Sequence, residues 1–345
     1  MEESRQGLEK EHSILFDTGE IIIKKELVKS VSGIIYQALK IADDKGLSQP
    51  EKILYKEYYA FYDTNLRRAL SDNSVLLAPG SSVNTFWADT LNQKYKERIK
   101  TEIMLHDKIF AHTNGYMGNI AEIERENSVR KNPNNVVNAT WMKLNSQKEE
   151  TLESWMYRNK PNRDTLAILL RYIERLLEVL NQVHEQGYLH LDVKPASVLL
   201  LDDEADNHLL LCDYGAAYEK KNLHLLPEIV KNIGYSAPEL YSIFGVIGEK
   251  KLYNGEGKDI NESTDAFAVG GILYTFITGE AYNTTRKYAR IDSLVSEKLQ
   301  LLGIKDGQIR EMVSLIKMLL APVSKQRLAD AHEIADCIEG LKWEF

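Results

Sequence analysis

Cysteine is nearly absent from this chain. Its 345 residues include two, Cys212 and Cys337, far apart in sequence. Two distant cysteines build no disulfide framework, and no C-x-x-C pair offers a zinc site. The expectation is a reducing compartment. Positive charge is also short: 43 Lys and Arg stand against 51 Asp and Glu, a formal charge of −8. A nucleic-acid partner, which needs clustered Lys and Arg against its phosphates, is therefore not expected. Long apolar runs are missing too. The longest, "AFAVGGILYTFITG" at 266–279, is too short to span a bilayer and reads as a buried core helix. The opening "MEESRQGLEKEHSILF" is charged and has no apolar stretch of the secretory-leader kind. What is left, with 43% hydrophobic and 27% charged residues, is an ordinary soluble globular chain. Its expected setting is cytoplasmic; delivery into another cell's cytosol would leave the same composition.

The pattern along the chain divides it. Residues 1–20 are polar and read as a peripheral extension. "EIIIKKELV" (20–28), "GIIYQALKIA" (33–42) and "KILYKEYYAF" (52–61) are β-rich, with Gly33 at the first turn. Residues 62–85 are irregular. From Phe86 to Phe110 the pattern turns helical, with Leu91, Tyr95, Ile99 and Ile103 on one stripe. "ENSVRKNPNN" (126–135) reads as a hairpin loop, and "VVNATWMKL" (136–144) as a strand running into a polar linker. Leu166, Leu169, Leu170, Ile173, Leu176, Leu177, Leu180 and Val183 predict a long amphipathic helix, with Asp164 as N-cap and Gly187 just past its end. "SVLLLDD" and "HLLLCD" predict a hairpin of two short strands. The rest, after about residue 238, is mostly helical.

Chemistry concentrates in "HLDVKPAS" (190–197). In a tight loop, Lys194 can point where Asp192 points. A carboxylate there can orient or accept a hydroxyl proton, and an ammonium can hold a phosphoryl group as charge builds. Asp213, 21 residues on, stands at the end of an apolar strand beside Tyr214 and Gly215, a position suited to Mg²⁺. Two Asp and a Lys converging on one point suit phosphoryl transfer. The bland alternative for Asp192 is a solvated turn residue.

With these residues in hand, the chain resembles the eukaryotic-type protein kinase superfamily, as a divergent member. "HLDVKPAS" resembles the catalytic loop, "DYG" the D-F-G motif, "GYSAPE" (234–239) the A-P-E motif and "STDAFAVGG" (263–271) the opening of the central helix of the large lobe. "LLAPVSKQRLADAHEI" (319–334) resembles the late segment that carries an Arg. The motifs stand in family order over about residues 21–340. The resemblance implies an α+β bilobal fold, an antiparallel β-sheet N-lobe with one main helix on a mostly α-helical C-lobe. The expected division is 1–20 extension, 21–144 N-lobe with an insert at about 62–90, and 145–345 C-lobe. It also implies ATP between the lobes, against a linker near Met142–Leu144, with Mg²⁺ or Mn²⁺.

Roles follow position by position. The resemblance implies Asp192 as the catalytic Asp and Lys194, the Lys of the Ser/Thr-directed branch, beside it. Asp213 would bind metal and Lys56 of "ILYK" would hold the α/β-phosphates. The partner of Lys56 is Glu97 or Glu102; Glu102 flanks the apolar stripe and is preferred. Gly33 and Ile35 line up with the end of the Gly-rich loop, and Ser197 with a second metal ligand, although a bracing turn hydroxyl is the stronger expectation for it. His190, Gly215, Asp265, Glu239 and Arg327 are expected to be structural, the last two as an ion pair. Cys212 is expected to be a buried small hydrophobe.

Departures from the family pattern matter. Val28 and Ser30 replace the first two glycines of the loop over the phosphates, where close backbone approach favours Gly. Ser197 replaces Asn, Leu191 replaces the Arg before Asp192, and Asn232 replaces Thr. Between Gly215 and Gly234 no Ser or Thr occurs, only Tyr218. The Arg and the usual phosphosite are missing together, so activity without activation-loop Ser/Thr phosphorylation is expected. Three functions stand open: a Ser/Thr-type protein kinase acting on a protein hydroxyl, a pseudokinase serving as a scaffold, and a kinase-fold enzyme on a non-protein substrate. The insert at 62–90 is a candidate contact for a regulatory partner.

Overall fold

The computed structural model describes residues 7–16, 19–29, 33–42, 48–59, 100–102, 104–105, 108, 121–123, 136–143, 149–201, 208–225, 232–242, 259–282 and 288–341. The chain divides into two compact units, Met1–Asn145 and Ser146–Phe345.

In the first unit, β1 (Ser13–Phe16), β2 (Gly19–Lys29), β3 (Gly33–Ala42), β4 (Glu51–Tyr59), β5 (Ala121–Ile123) and β6 (Val136–Lys143) form one sheet in the order β1-β2-β3-β4-β6-β5. Every pairing is antiparallel. Period-two alternation sorts the side chains. Ile21, Ile23, Ile34, Tyr36, Ala38, Ile53 and Tyr55 make one core cluster. The intervening residues Ile35, Leu54 and Lys56 therefore belong to the opposite face. The described residues of the expected 1–20 extension, 7–16 and 19–20, are not peripheral. β1 pairs with β2, and Leu8 and Ile14 pack against the core cluster. Isolated apolar residues in a polar stretch are what a half-buried outer strand requires, and they leave little signal in composition.

The second unit begins with β7 (Glu149–Thr151) and α1 (Leu152–Arg158), both hidden in sequence by their shortness. β7 pairs with β9 (Val198–Leu201), which pairs with β10 (His208–Leu211). Helix α2 (Arg163–Glu185) buries all eight residues of the expected stripe. Its cap is Asn162, not Asp164: Asn162 Oδ1 accepts the Thr165 amide at 2.9 Å, and the Thr165 hydroxyl accepts the Asn162 amide at 3.0 Å. That reciprocal pair outcompetes Asp164, whose charge still favours the first turn. Gly187, at φ +83, closes the helix as expected.

Helix α4 (Glu262–Thr278) is apolar on every side and is buried on every side. α3 (Pro238–Ser242) precedes it, and α5 (Ile291–Leu301), α6 (Asp306–Leu319) and α7 (Ala331–Gly340) follow. A Cβ on Gly271 would run into the Gly234 carbonyl oxygen. Glycine there lets α4 touch the backbone of "GYSAPE". No helix among the described residues is long and apolar enough to cross a membrane.

Candidate active site

In the first unit, Lys56 Nζ lies 2.6 Å from Glu102 Oε1, with the two side chains 8% and 2% exposed. The pairing expected from the apolar stripe is thus present; Glu97 lies outside the described residues. Cross-strand register sets Val28 opposite Ile35, Ile35 opposite Lys56 and Lys56 opposite Thr140. Partners in register share a face, so Val28 and Ile35 lie in one row with Lys56. Both are buried. Gly33 opens β3 opposite Tyr58, and Met142 stands opposite Leu54. Ser30, Leu144, the 62–90 insert, the 126–135 loop and most of the expected helix at 86–110 lie outside the described residues; residues 100–102, 104–105 and 108 are helical.

The second unit carries the loop of Asp192, between β8 (Tyr188–Leu189) and a 3₁₀ turn at Pro195–Ser197. Leu191 and Asp213 hold left-handed backbone, at φ +62 and +67. A non-glycine residue in that region costs about 1–3 kcal/mol, so something must hold it. For Leu191 that is Asp265 on α4. Its Oδ1 accepts the Leu191 amide at 2.7 Å, and its Oδ2 accepts the His190 amide at 2.8 Å. His184 Nε2 lies 2.8 Å from the same Oδ2. Asp213 is tied to the loop through its neighbour: the amide of the buried Cys212 donates to the Ser197 carbonyl at 2.7 Å.

Asp192 is held on both oxygens. Lys194 Nζ donates to Oδ2 at 2.5 Å, and Asn232 Nδ2 donates to Oδ1. The Ser197 hydroxyl donates to the Lys194 carbonyl at 2.9 Å and accepts the Lys194 amide at 3.0 Å. It braces the turn, and one lone pair is left for any ligand. His190 is buried, its ring 4.8 Å from that of Tyr214, and its Nδ1 accepts the Asp192 amide at 3.3 Å. The proton of the neutral ring therefore sits on Nε2. Gly215 lies in the 3₁₀ turn Tyr214–Ala216. Arg327 forks onto Glu239, with Nη1 to Oε1 at 2.7 Å and Nη2 to Oε2 at 3.1 Å, and Thr264 donates to the same carboxylate.

The charges are tuned by enclosure. Burial pushes the Asp192 carboxyl up to about 6; the Asp213 charge adds to this, and Lys194 and the Asn232 hydrogen bond oppose it. Burial pulls His190 down to about 4, against the pull of Asp265 and Asp213, so the imidazole is neutral at physiological pH. Burial alone would raise Asp265, but the hydrogen bond and charge of His184, with the His190 contacts, leave it below the usual carboxylate range. Asp265 is thus an anion fixed under two backbone amides, and Asp192 is a carboxylate near the edge of protonation. The latter can take a hydroxyl proton and return it.

The donors on hand for a cation are oxygens, the Asp213 carboxylate and the remaining lone pair of Ser197. No cluster of three or more His, Cys, Asp or Glu suited to a metal occurs among the described residues. That fits Mg²⁺ or Mn²⁺ held by one or two protein oxygens together with substrate phosphates, and does not fit a self-sufficient metal cage.

A model of the protein kinase domain matches residues 89–337. The chain belongs to the eukaryotic-type protein kinase superfamily. It is 26% identical over 172 residues to the serine/threonine-protein kinase AtPK2/AtPK19 of Arabidopsis thaliana, covering 50% of this chain and 32% of that one. It is 31% identical over 108 residues to the calcium/calmodulin-dependent protein kinase cmkA of Emericella nidulans, covering 31% of this chain and 23% of that one. The chain thus spans about a third or less of the length of these relatives. The crystal structure of a double mutant of the PknI kinase domain of Mycobacterium tuberculosis superposes with a TM-score of 0.53 at 16% identity, covering 97% of this chain and 99% of that one. At that identity the likeness speaks for the bilobal kinase fold alone.

Sequence reasoning left three residues of these networks unassigned. Asn232, 40 residues from Asp192, was noted only as a replacement for Thr, yet it donates to the Asp192 carboxylate. His184 follows the last residue of the α2 stripe, and Thr264 lies within "STDAFAVGG". Their spacing carries no signal, because the contacts arise only when α2, α3 and α4 pack.

Proposed function

We propose that this chain is an ATP-dependent protein kinase of the Ser/Thr type. The observation that carries this reading is the state of Asp192: a largely enclosed carboxylate with a raised pKa, paired with Lys194 and held by a braced loop. Drift without use would strike such a charged centre as readily as the altered loop at Val28 and Ser30.

In this reading the acceptor hydroxyl donates to Asp192 and gives up its proton there. Its oxygen bonds to the γ-phosphorus of ATP as the bond from that phosphorus to the β–γ bridging oxygen breaks, and ADP leaves with that electron pair. Lys194 offsets charge growing on the transferred phosphoryl oxygens. Lys56, fixed by Glu102, engages the α/β-phosphates, with Ile35 and Val28 in the same row and Gly33, Met142 and Leu144 as further nucleotide contacts. Asp213, with Ser197, would hold Mg²⁺ or Mn²⁺, which when bound offsets the negative charge of the phosphates. Asp265, His190, Gly215, Glu239 and Arg327 hold the frame. Residues 216–233 contain no Ser or Thr, which supports activity without phosphorylation of such a residue there. The acidic, cysteine-poor composition supports a cytoplasmic setting, and the 62–90 insert is the proposed contact for a regulatory partner.

The test is transfer from γ-labelled ATP to protein with Mg²⁺ or Mn²⁺, run beside Asp213→Ala. Transfer by the parent and none by the variant is expected. No transfer and no ATP-dependent thermal shift would leave a scaffold with the kinase fold. In a parallel run with α-labelled ATP, label retained on protein would mean nucleotidyl transfer.

A further inference from the structure

Among the described residues, both polar and apolar contacts hold the segment after Asp213 against the loop of Asp192, the Asn232 hydrogen bond to Asp192 being one of the polar ones. β11 (Tyr218–Glu219) pairs with β8 over two residue pairs only. The Lys220 amide donates to the Gly187 carbonyl at 2.8 Å. Lys220 also meets Glu262 at 2.7 Å, but both side chains are about a third exposed, where an ion pair contributes little. Lys221, three-quarters exposed, is paired with Glu219.

The larger contact is apolar. Leu189, Leu191, Leu240 and Ile260, each at most 4% exposed, form one cluster, and Ala216, Tyr218 and Leu223 pack against it. The cluster joins β8, the Asp192 loop, α3 and the approach to α4 to three residues of the segment. One of its four buried members, Leu191, is held in a left-handed conformation by the carboxylate of Asp265. Tyr218 is the only hydroxyl-bearing residue between Gly215 and Gly234 and lies on the margin of this cluster. Its chain neighbour is the carboxylate of Glu219, whose oxygens are taken up by Lys221 and Asn222. A phosphate on Tyr218 would meet apolar surface and like charge, conditions under which the modification disrupts a contact.

We propose that the segment following Asp213 is clasped to the Asp192 loop by the apolar cluster around Leu191, and that charge placed in the clasp, at Leu191 or by phosphorylation of Tyr218, opens it and turns phosphotransfer down. This rests on the kinase reading for its effect on activity, but not for the clasp. The described residues 216–223 meet the cluster without modification, and the Tyr218 hydroxyl works as an off-switch.

The experiment compares the whole chain with Leu191→Arg, Leu191→Met and Tyr218→Glu, by hydrogen exchange and by transfer from γ-labelled ATP. For Leu191→Arg and Tyr218→Glu, exchange at the amides of Ala217 and Lys220 is expected to quicken by about tenfold or more while amides in the middle of α2 stay protected, the mark of local opening. Transfer is expected to fall by about tenfold in the same two variants. Leu191→Met, which keeps an apolar side chain, is expected to move both by far less than Leu191→Arg. If Leu191→Arg also exposes α2, Tyr218→Glu, whose site is only half-buried, decides. Unchanged exchange at Ala217 and Lys220 in Tyr218→Glu, or faster transfer in either charged variant, overturns the clasp. Faster exchange in a chain whose parent transfers no phosphate supports the clasp and removes the kinase reading.

Discussion

Replacing Arg327 with Lys is expected to destabilise the second unit by about 3–5 kcal/mol, although the charge is kept. The Arg327 side chain is wholly buried. A guanidinium has five N–H donors, and all five are used: Nε to Ala321 O, Nη1 to Glu239 Oε1 and Ser263 O, Nη2 to Glu239 Oε2 and Ala321 O, at 2.7–3.1 Å. The same group lies 5.0 Å over the ring of Phe267. Lysine offers three donors and no planar fork, so at least two of these bonds are lost. Each buried acceptor left without its donor costs about 1–3 kcal/mol, and a disrupted buried ion pair about 3–5 kcal/mol. In a unit of this size, the result is a melting midpoint lower by about 10 °C. The assay is thermal denaturation of the parent, Arg327→Lys, Arg327→Met, Glu239→Leu and Arg327→Met/Glu239→Leu. The single changes each strand a buried partner, and the double change removes both, so the double variant is expected to lose less than the sum of the singles. A midpoint for Arg327→Lys within about 2 °C of the parent, or strict additivity in the cycle, would refute the reasoning.

Lys56→Met is expected to lower phosphotransfer by about 10²–10³-fold, and Glu102→Gln, which keeps a hydrogen-bonding oxygen, by less; steady-state kinetics with ATP as the varied substrate checks both. In the proposed mechanism the Asp192 carboxyl must be ionised to receive the hydroxyl proton, and burial raises its pKa to about 6, so kcat/KM is expected to rise with pH through that value. A profile flat between about pH 5 and 7 would oppose this role. His190 titrates near 4 in the fold against 6.5 unfolded. The unfolded chain takes up this proton first on acidification, so the stability contribution is complete above pH 6.5 and is lost as pH falls towards 4, by up to about 3 kcal/mol. In His190→Phe that acid dependence should shrink, as read by denaturant titration at several pH values. Gly271→Ala is expected to cost about 3 kcal/mol, because the added methyl meets the Gly234 carbonyl, which cannot move without disturbing "GYSAPE".

The parts legible in the sequence share a physical cause: their signal is local or periodic. The strands 20–28 and 33–42 are rich in β-branched residues, and the stripe from Leu166 to Val183 repeats with the helical period, so both follow from neighbours in the chain. The Lys56–Glu102 pair is legible because an apolar stripe fixes which carboxylate of a helix faces inward. What escaped was a close local contest at one cap and contacts that are tertiary. Asn162 displaced Asp164 as the cap through a reciprocal bond to Thr165, a contest between two good candidates that composition does not decide. Leu8 and Ile14 joined the core from a stretch that reads as polar. Asn232 reaches Asp192 across 40 residues of chain, and only the path of the intervening segment brings them together.

The loop that bears Asp192 is shaped from outside itself. A short span with a left-handed Leu191 has few bonds of its own with which to hold that backbone. The restraint comes from Asp265, in the first turn of a helix buried on every side, and the carboxylate is itself fixed by His184 on a second helix. Strain at Leu191 is therefore opposed by helix packing, which does not depend on any occupant of the site. This separates two kinds of residue within "HLDVKPAS". His190 and Leu191 spend their polar groups on the frame and Ser197 most of its own, whereas Asp192 and Lys194 present theirs to each other and to whatever approaches. A change in the first kind should lower stability and activity together, and a change in the second should lower activity while leaving the melting midpoint nearly in place. That division follows from where each hydrogen bond ends, and it assigns Asp265 a larger part in the geometry of Asp192 than any neighbour of Asp192 in the chain except Lys194.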